Sequence, residues 1–390
     1  MEVDLAVDVA IVGAGPAGST LAALLAGRGV RVALIDRDPF PRDKLCGEFL
    51  SYDALPVLER LGVMDQIDER HGAPRISRCR VVGTQQTYEF ELPHPARGVS
   101  RLLLDDLLLR TAAKKGATRL DGWTADRITD NGQRITITRA AESQTLSAQI
   151  VVGAWGRWGR FDTQLRRAFV RDRAHRNFGF KRHYFAARQP DAIELYSFAR
   201  GYLGVNAIEG GLTNICGLVH ASRLAGHKGR WDTFVEQLRA ESPRLETLYA
   251  RHEPAQEGFL SSEPVIFRAR SAVEGGIFMI GDASGVLDPL TGNGMAMAIQ
   301  SALVAAPLLV QLLESPNLRK RIESDYRRRH RTTFGKRIAW SRRVAALLSR
   351  PRLLDTALAG LRHRAIGELL LRKTRGSEEE VERATQAWFS

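Results

Sequence analysis

The stretch that most limits the fold runs from Val7-Asp8-Val9-Ala10-Ile11-Val12 through Gly13-Ala14-Gly15-Pro16-Ala17-Gly18 to Ile35-Asp36. Val9, Ile11 and Val12 read as a buried strand, Ser19 to Ala26 as a small-residue helix, and Val30 to Ile35 as a second strand. Each glycine between strand and helix has its own task. Gly13 permits a tight turn, Gly15 lets a pyrophosphate approach the backbone, and Gly18 lets helix and strand pack closely. Pro16 fits the first helical position, whose N–H has no partner to lose. The helix N-terminus, with Ala17 in its first turn, offers free N–H groups and a positive dipole end to phosphates. Asp36, eighteen residues after Gly18, stands where a carboxylate accepts from a ribose hydroxyl. A glycine turn of purely structural use would not need strand, turn, helix, strand and acid in that order. The reading is a dinucleotide-binding unit.

At 390 residues and 44% hydrophobic, the chain suffices for one elaborate domain or two. Cys46, Cys79 and Cys216 form no Cys-x-x-Cys, which argues against a disulfide framework or a zinc site and for a reducing compartment. The nine histidines form no ligand cluster, so no metal is expected. The acidic start Met1-Glu2-Val3-Asp4 runs straight into the first strand, predicting a cytoplasmic chain with no signal peptide. The net charge is +13, but Arg319 to Arg375 hold eighteen Lys or Arg against four acids, leaving the remainder near −1. The basicity belongs to the tail. Met295 to Leu313 approaches membrane-spanning length, yet Gln300, Ser301, Pro307 and Gln311 interrupt it, so a buried core helix is expected.

The loop Arg37 to Ser51 carries Arg37, Arg42, Lys44, Cys46 and Gly47 among prolines. Cations beside a glycine suit a segment folding over a polyanion; a solvated surface loop fits the same residues. Ser77 to Leu92 alternates like a hairpin, and Ser100 to Ala113 is an amphipathic helix. Arg101 at its start opposes the helix dipole, so it serves an external anion rather than the helix. Gln149-Ile-Val-Val-Gly153-Ala-Trp-Gly156 is another apolar strand closing on glycines. From about Arg173 to Val219 the pattern becomes that of a separate sheet. A further strand ends on Gly281-Asp282, and Asp288-Pro289…Gly292-Asn293-Gly294 then opens the apolar helix.

Three segments together resemble one family: Gly13-x-Gly15-x-x-Gly18, then Val151-Val-Gly-Ala-x-Gly156, then Gly281-Asp282-Ala283 with Asp288-Pro289 and Gly292-x-Gly294. The order is similar to the flavoprotein monooxygenase and geranylgeranyl reductase group, with the FAD-binding fold of p-hydroxybenzoate hydroxylase. The resemblance spans roughly residues 7–310 and leaves the tail uncovered. Pro41-Arg42-x-Lys44-x-Cys46-Gly47 resembles the geranylgeranyl reductase-like branch, with flavin-dependent halogenases nearby. The similarity implies FAD as cofactor. Gly13, Gly15, Gly18 and Asp36 would hold its ADP half, Arg101 would contact it, and Asp282 would accept from the ribityl chain. The Gly292-Asn293-Gly294 helix start would face the isoalloxazine, where a dipole end stabilises the anionic reduced ring. Two departures matter. Hydroxylases of the group usually place Asp-Gly where this chain has Trp155-Gly156, which leaves direct use of NADPH or NADH open. The Trp-x-Trp-x-Ile-Pro segment of tryptophan-type halogenases is absent.

These readings predict an α/β Rossmann-like FAD-binding domain (1–75, 96–165 and 270–325), an inserted β-rich substrate domain (76–95 and 166–269) and a basic helical tail (326–390). The expected activity is an FAD-dependent monooxygenase acting on a hydrophobic aromatic, polyketide-like or isoprenoid molecule. A reductase saturating isoprenoid double bonds is the alternative, and a halogenase or a non-catalytic flavin-binding protein a further one. Cys46 is the one soft nucleophile beside the flavin loop, against a small buried filler as the plain reading. Tyr202 and Asn206 resemble a substrate-side strand, against core packing as the plain reading. Partners would be the substrate, an electron donor such as a flavin reductase, and a membrane surface met by the basic tail. Nucleic acid is not expected, because the tail shows no recognition motif.

Overall fold

The computed structural model describes residues 5–130, 133–172, 175–227, 229–286, 292–360 and 378–390. Strand Leu5–Val12 is buried on both faces, with Val9, Ala10 and Ile11 fully covered. A continuous apolar run of this kind belongs at the centre of a parallel sheet. It lies between Val32–Asp36 and Glu142–Gly153, with Thr118–Asp121 and Ile277–Met279 extending the parallel order on either side. The antiparallel hairpin Thr124–Thr129 and Arg134–Arg139 joins the sheet through Glu142–Gly153. Helices Pro16–Ala26, Arg101–Lys114 and Gly294–Glu314 pack together on one face.

A second sheet runs Phe49–Leu50, Thr87–Gly98, Arg75–Val82, Ala192–Phe198, Gly201–Ala207, Leu212–His220, Asn177–Ala186 and His252–Pro254. The alternation of Asn177–Ala186 sorts its residues. Phe180 and Tyr184 enter a core closed by helices Trp231–Glu241 and Pro243–Ala250, and Lys181 and His183 face the other way. The fold class is therefore the α/β arrangement expected, a parallel nucleotide-type sheet beside a mostly antiparallel one.

Gly294–Glu314 is long and apolar enough to cross a bilayer, but 72% of its most apolar window is buried inside this fold. It is a core helix. The basic segment begins as one long helix, Arg319–Leu348, whose inner face is built into the body. The Tyr326 hydroxyl donates to the Met279 carbonyl (2.7 Å), and Arg337 donates to Gln300 Oε1 (2.6 Å). The His330 ring meets the Ser284 hydroxyl at 2.8 Å, and burial pushes its pKa down to about 4, so it is neutral at pH 7. Phe334 is fully buried. One face of this helix is thus core and the opposite face is solvated. Phe334→Ala should lower stability to urea by about 3–5 kcal/mol, whereas Arg329→Ser on the outer face should stay within about 0.5 kcal/mol. Equal effects would mean the helix is not docked this way.

Candidate functional site

The glycine turn is locked into the first sheet. Gly13 has φ +111°, and a side chain there would overlap the Ala154 carbonyl; one at Gly18 would overlap the Gly13 carbonyl. Pro16 is the first residue of its helix, and Ala17 is buried beneath it. Asp36 accepts the Ala14 N–H (2.8 Å) and pairs with Arg42 Nη2 (2.7 Å), fastening the end of the second strand to the turn. Arg42 also pairs with Asp38. Arg37 is mostly exposed at the mouth and reaches Asp38 at 3.5 Å.

Two further cations converge on the open side of this turn. A Cβ placed on Gly15 would stand 3.6 Å from Arg101 Nη2 and 3.9 Å from Lys44 Nζ. The Arg101 guanidinium pairs with Asp105 (2.7 and 2.6 Å). Burial opposes its charge, but Asp105 and the Cys46 sulfur outweigh burial and hold it protonated. Lys44 has no ion-pair partner among the described residues, and burial pushes its pKa down to about 8. A half-buried ammonium with no counterion, beside a second cation and a helix N-terminus, fits a diphosphate. Gly47 and Gly156 (φ +82°) line the same cavity. Trp155 supplies no acid here: its ring packs on Phe161 (5.3 Å between centres) and its indole N–H donates to Asp162 (3.3 Å).

Gly281, Asp282, Gly292 and Gly294 line the next part of the wall, with Asn293 buried at the start of the Gly294–Glu314 helix. Burial pushes the Asp282 carboxyl up, against the pull of Arg157, Arg270 and Arg101. Pro289 lies outside the described residues.

A polar cluster the sequence reading missed underlies the loop. Glu48, at φ +54° and fully buried, accepts from Lys181 Nζ (2.7 Å) and from the Arg101 backbone N–H (2.9 Å), and meets His183 Nε2 at 2.7 Å. Lys181 Nζ donates also to Asp43 (2.6 Å) and the Lys44 carbonyl (3.1 Å). Asp43, Glu48 and His183 bring their ligand atoms within 4.8 Å of one another, but the Lys181 ammonium bonds both carboxylates where a cation would sit. The one signal available in sequence was the pair Lys181 and His183, two apart on a strand. Their partner, more than 130 positions away, gave none.

Beyond Cys46 the cavity turns apolar. Phe90, Ile193, Leu195, Tyr202 and Leu218 form its floor, and Val344, Leu347, Leu354 and Leu358 of the C-terminal helices form its roof. Asn206 does not face this space; its amide donates to the Glu48 carbonyl (3.3 Å). The roof is clipped to the floor by Asp355, which accepts the N–H groups of Gln85 (3.2 Å) and Gln86 (3.1 Å). The cationic and apolar arms form one cavity of about 1050 Å³, which matches the upper end of ligand sites. One arm suits a dinucleotide, the other a hydrocarbon.

The chain belongs to the FAD-binding domain family, whose model matches residues 6–336. It is an FAD-dependent oxidoreductase. It is 26% identical over 324 residues to tryptophan 2-halogenase of Chondromyces crocatus, covering 78% of this chain and 61% of that protein. It is 28% identical over 385 residues to menaquinone reductase of Mycobacterium tuberculosis, covering 91% and 87%. Among solved structures, the flavin-dependent brominase Bmp2 superposes with a TM-score of 0.78 at 17% identity, over 98% of this chain and 99% of that one.

Lys44 gives the cofactor arm a pH signature. In the free protein its ammonium is lost above about pH 8, and phosphates bound beside it would hold it charged to higher pH. Above that pH, binding therefore takes up a proton, and the Kd for FAD should rise with pH by up to roughly tenfold per unit. Lys44→Arg should flatten the rise in a flavin-fluorescence titration; an unchanged slope would place Lys44 away from the phosphates.

Proposed function

We propose that this chain reduces a carbon–carbon double bond in the hydrocarbon part of an isoprenoid-type lipid. The apolar arm carries the reading. It extends from the cofactor arm between a sheet face and a helical roof, and offers a chain-like substrate van der Waals contact without charge. The relatedness to menaquinone reductase across 91% of the chain supports the same choice, as does the missing acid at Trp155.

Gly13, Gly15, Gly18, Asp36, Arg42, Lys44 and Arg101 would hold the ADP half of FAD, and Gly281, Asp282 and the Asn293–Gly294 helix start the flavin half. When bound, the flavin supplies the electron pair. The chain orients the double bond, excludes water with the Val344 to Leu358 roof, and presents one proton. Cys46 is the group placed for that: it lies where the two arms meet, its sulfur accepts the Glu48 N–H (3.4 Å), and Arg101 lies beside it. The second reading, hydroxylation of the same substrate, shares every positioning step and differs only in using dioxygen. Chemically reduced, FAD-loaded protein with a prenylated quinone should yield under anaerobic conditions a product that stays two hydrogens richer after the quinone ring is reoxidised in air. Uptake of label from heavy dioxygen, with no anaerobic product, would replace reduction by oxygenation.

The outer face of helix Arg319–Leu348 supports a partner for this chemistry. Lys320, Arg321, Arg329, Arg331, Lys336 and Arg342 are exposed and have no acidic partner among the described residues. Such a predominantly basic face suits an anionic bilayer, at about 1 kcal/mol per cation near the surface. Removing the segment would tear Tyr326 and Phe334 from the core, so the clean change is at the surface. Reversing Arg329, Arg331, Lys336 and Arg342 to glutamate should end salt-sensitive pelleting with phosphatidylserine vesicles while keeping FAD bound. Unchanged pelleting would dismiss the membrane contact.

A further inference from the structure

Two cysteines far apart in sequence line the cavity where its two arms join. The loop 43–48 lies on the inward face of the second sheet, and its contacts register it residue by residue. Leu45 packs over Gly179, Lys181 Nζ bonds the Lys44 carbonyl and Glu48, and the Asn214 side-chain amide donates to the Cys46 carbonyl (3.1 Å). Strand pairing aligns Gly179 with Leu218, Lys181 with Cys216, and His183 with Asn214. Cys216 therefore points to the same face as Lys181 and Asn214, the face on which Cys46 sits. Both cysteines line the cavity and both are free.

Their surroundings differ. Cys46 has the Arg101 guanidinium beside its sulfur and the Glu48 N–H donating to it. The Cys216 thiol is pushed up to about 12 by burial and by the Cys46 sulfur, with Lys181 pulling the other way. One thiol is set beside a cation as an attacking group, and the other stays protonated until a leaving group is presented to it.

We propose that Cys46 and Cys216 form a peroxide-responsive thiol pair, in which Cys46 is oxidised first and Cys216 resolves it to a disulfide. The steps balance. The Cys46 sulfur attacks one oxygen of hydrogen peroxide and the O–O bond breaks, giving a sulfenic acid and water. The Cys216 sulfur then attacks the Cys46 sulfur, the S–O bond breaks, and a second water leaves with the Cys216 proton. The two thiols are oxidised by two electrons, and peroxide is reduced to two waters. A dithiol reverses the reaction by exchange. The bridge crosses the point where the cationic and apolar arms join, so its formation closes the passage between them. Cys79 lines the apolar arm, away from the 43–48 loop, and takes no part. The proposal is independent of whether the enzyme reduces or oxygenates its substrate.

The test uses the full-length, FAD-loaded protein, stoichiometric hydrogen peroxide, and thiol titration after unfolding, with peptide mass spectrometry. Free thiols should fall from three to one, a Cys46–Cys216 peptide should appear, and dithiothreitol should restore three. Cys216→Ser should trap a dimedone-reactive sulfenic acid on Cys46, and Cys46→Ser should leave both remaining thiols unmodified. Flavin absorbance of each variant reports that the fold and cofactor site are retained. A dimedone adduct on Cys46 in the wild-type chain without the bridge, or oxidation of Cys79 at the same rate, would overturn the pairing.

Discussion

The structure depends on one buried charge. Lys181 is fully covered, projects from the inward face of a β-strand, and is shared between Asp43 and Glu48 of the loop above it. An ammonium cannot be stripped of water for its own sake, since removing one partner of such a pair costs about 3–5 kcal/mol. What the cluster gives in return is position. It ties a loop of the nucleotide half to the sheet of the other half, and holds Glu48 at positive φ with its backbone turned toward the Cys46 sulfur. Hydrophobic contact could join the two halves but would tolerate sliding. A lysine bonded to two carboxylates and a carbonyl does not.

From that fixed joint the cavity follows. Its cationic arm is set by the interlocked Gly13 and Gly18 and by Asp36, which bonds both the turn and Arg42. Its apolar arm is made of pieces remote from one another in the chain: strands from 75–98 and 192–218 beneath, and helices from 319–360 above. The roof is held by polar groups rather than by oil alone. Arg200 N–H donates to the Ser349 carbonyl (2.9 Å), and Asp355 receives the turn of the neighbouring hairpin. Such bonds set the roof at a defined height above the floor, and so set the width of the space.

The legible parts of the sequence were those where local chemistry and tertiary role coincide. Gly13, Gly15 and Gly18 with Asp36 announce themselves because a turn, a helix start and an acid follow in a fixed short spacing. The apolar helix at 294–314 was readable as core because its polar interruptions are incompatible with lipid. Lys181 and Glu48 were illegible because each looks like a surface residue, and only their pairing makes burial tolerable. The roof residues were hidden for a related reason. Val344, Leu347, Leu354 and Leu358 are scattered among arginines, and the charge of the segment obscured its apolar stripe. Asn206, by contrast, resembles a substrate-side strand residue, but a side chain's direction depends on which neighbour needs a donor, and here that neighbour is the Glu48 carbonyl.

The basic helix shows how one element can meet two demands. Its inner face obeys packing rules, with Tyr326, His330 and Phe334 in register at four-residue steps. Its outer face breaks the rules for a helix selected for stability alone, because like charges three and four apart repel. Exposed ion pairs contribute little, and most of these cations do not even have one. Folding gains nothing from them. A solubility role would be met as well by mixed charges, which is what the rest of the near-neutral chain carries. A face so dominated by one sign is the kind that an opposite charge outside the chain would meet, as proposed above. Because the other side of the same helix, continued by Leu354 and Leu358, covers an apolar cavity, that opposite charge would lie close to where the proposed hydrocarbon substrate would arrive.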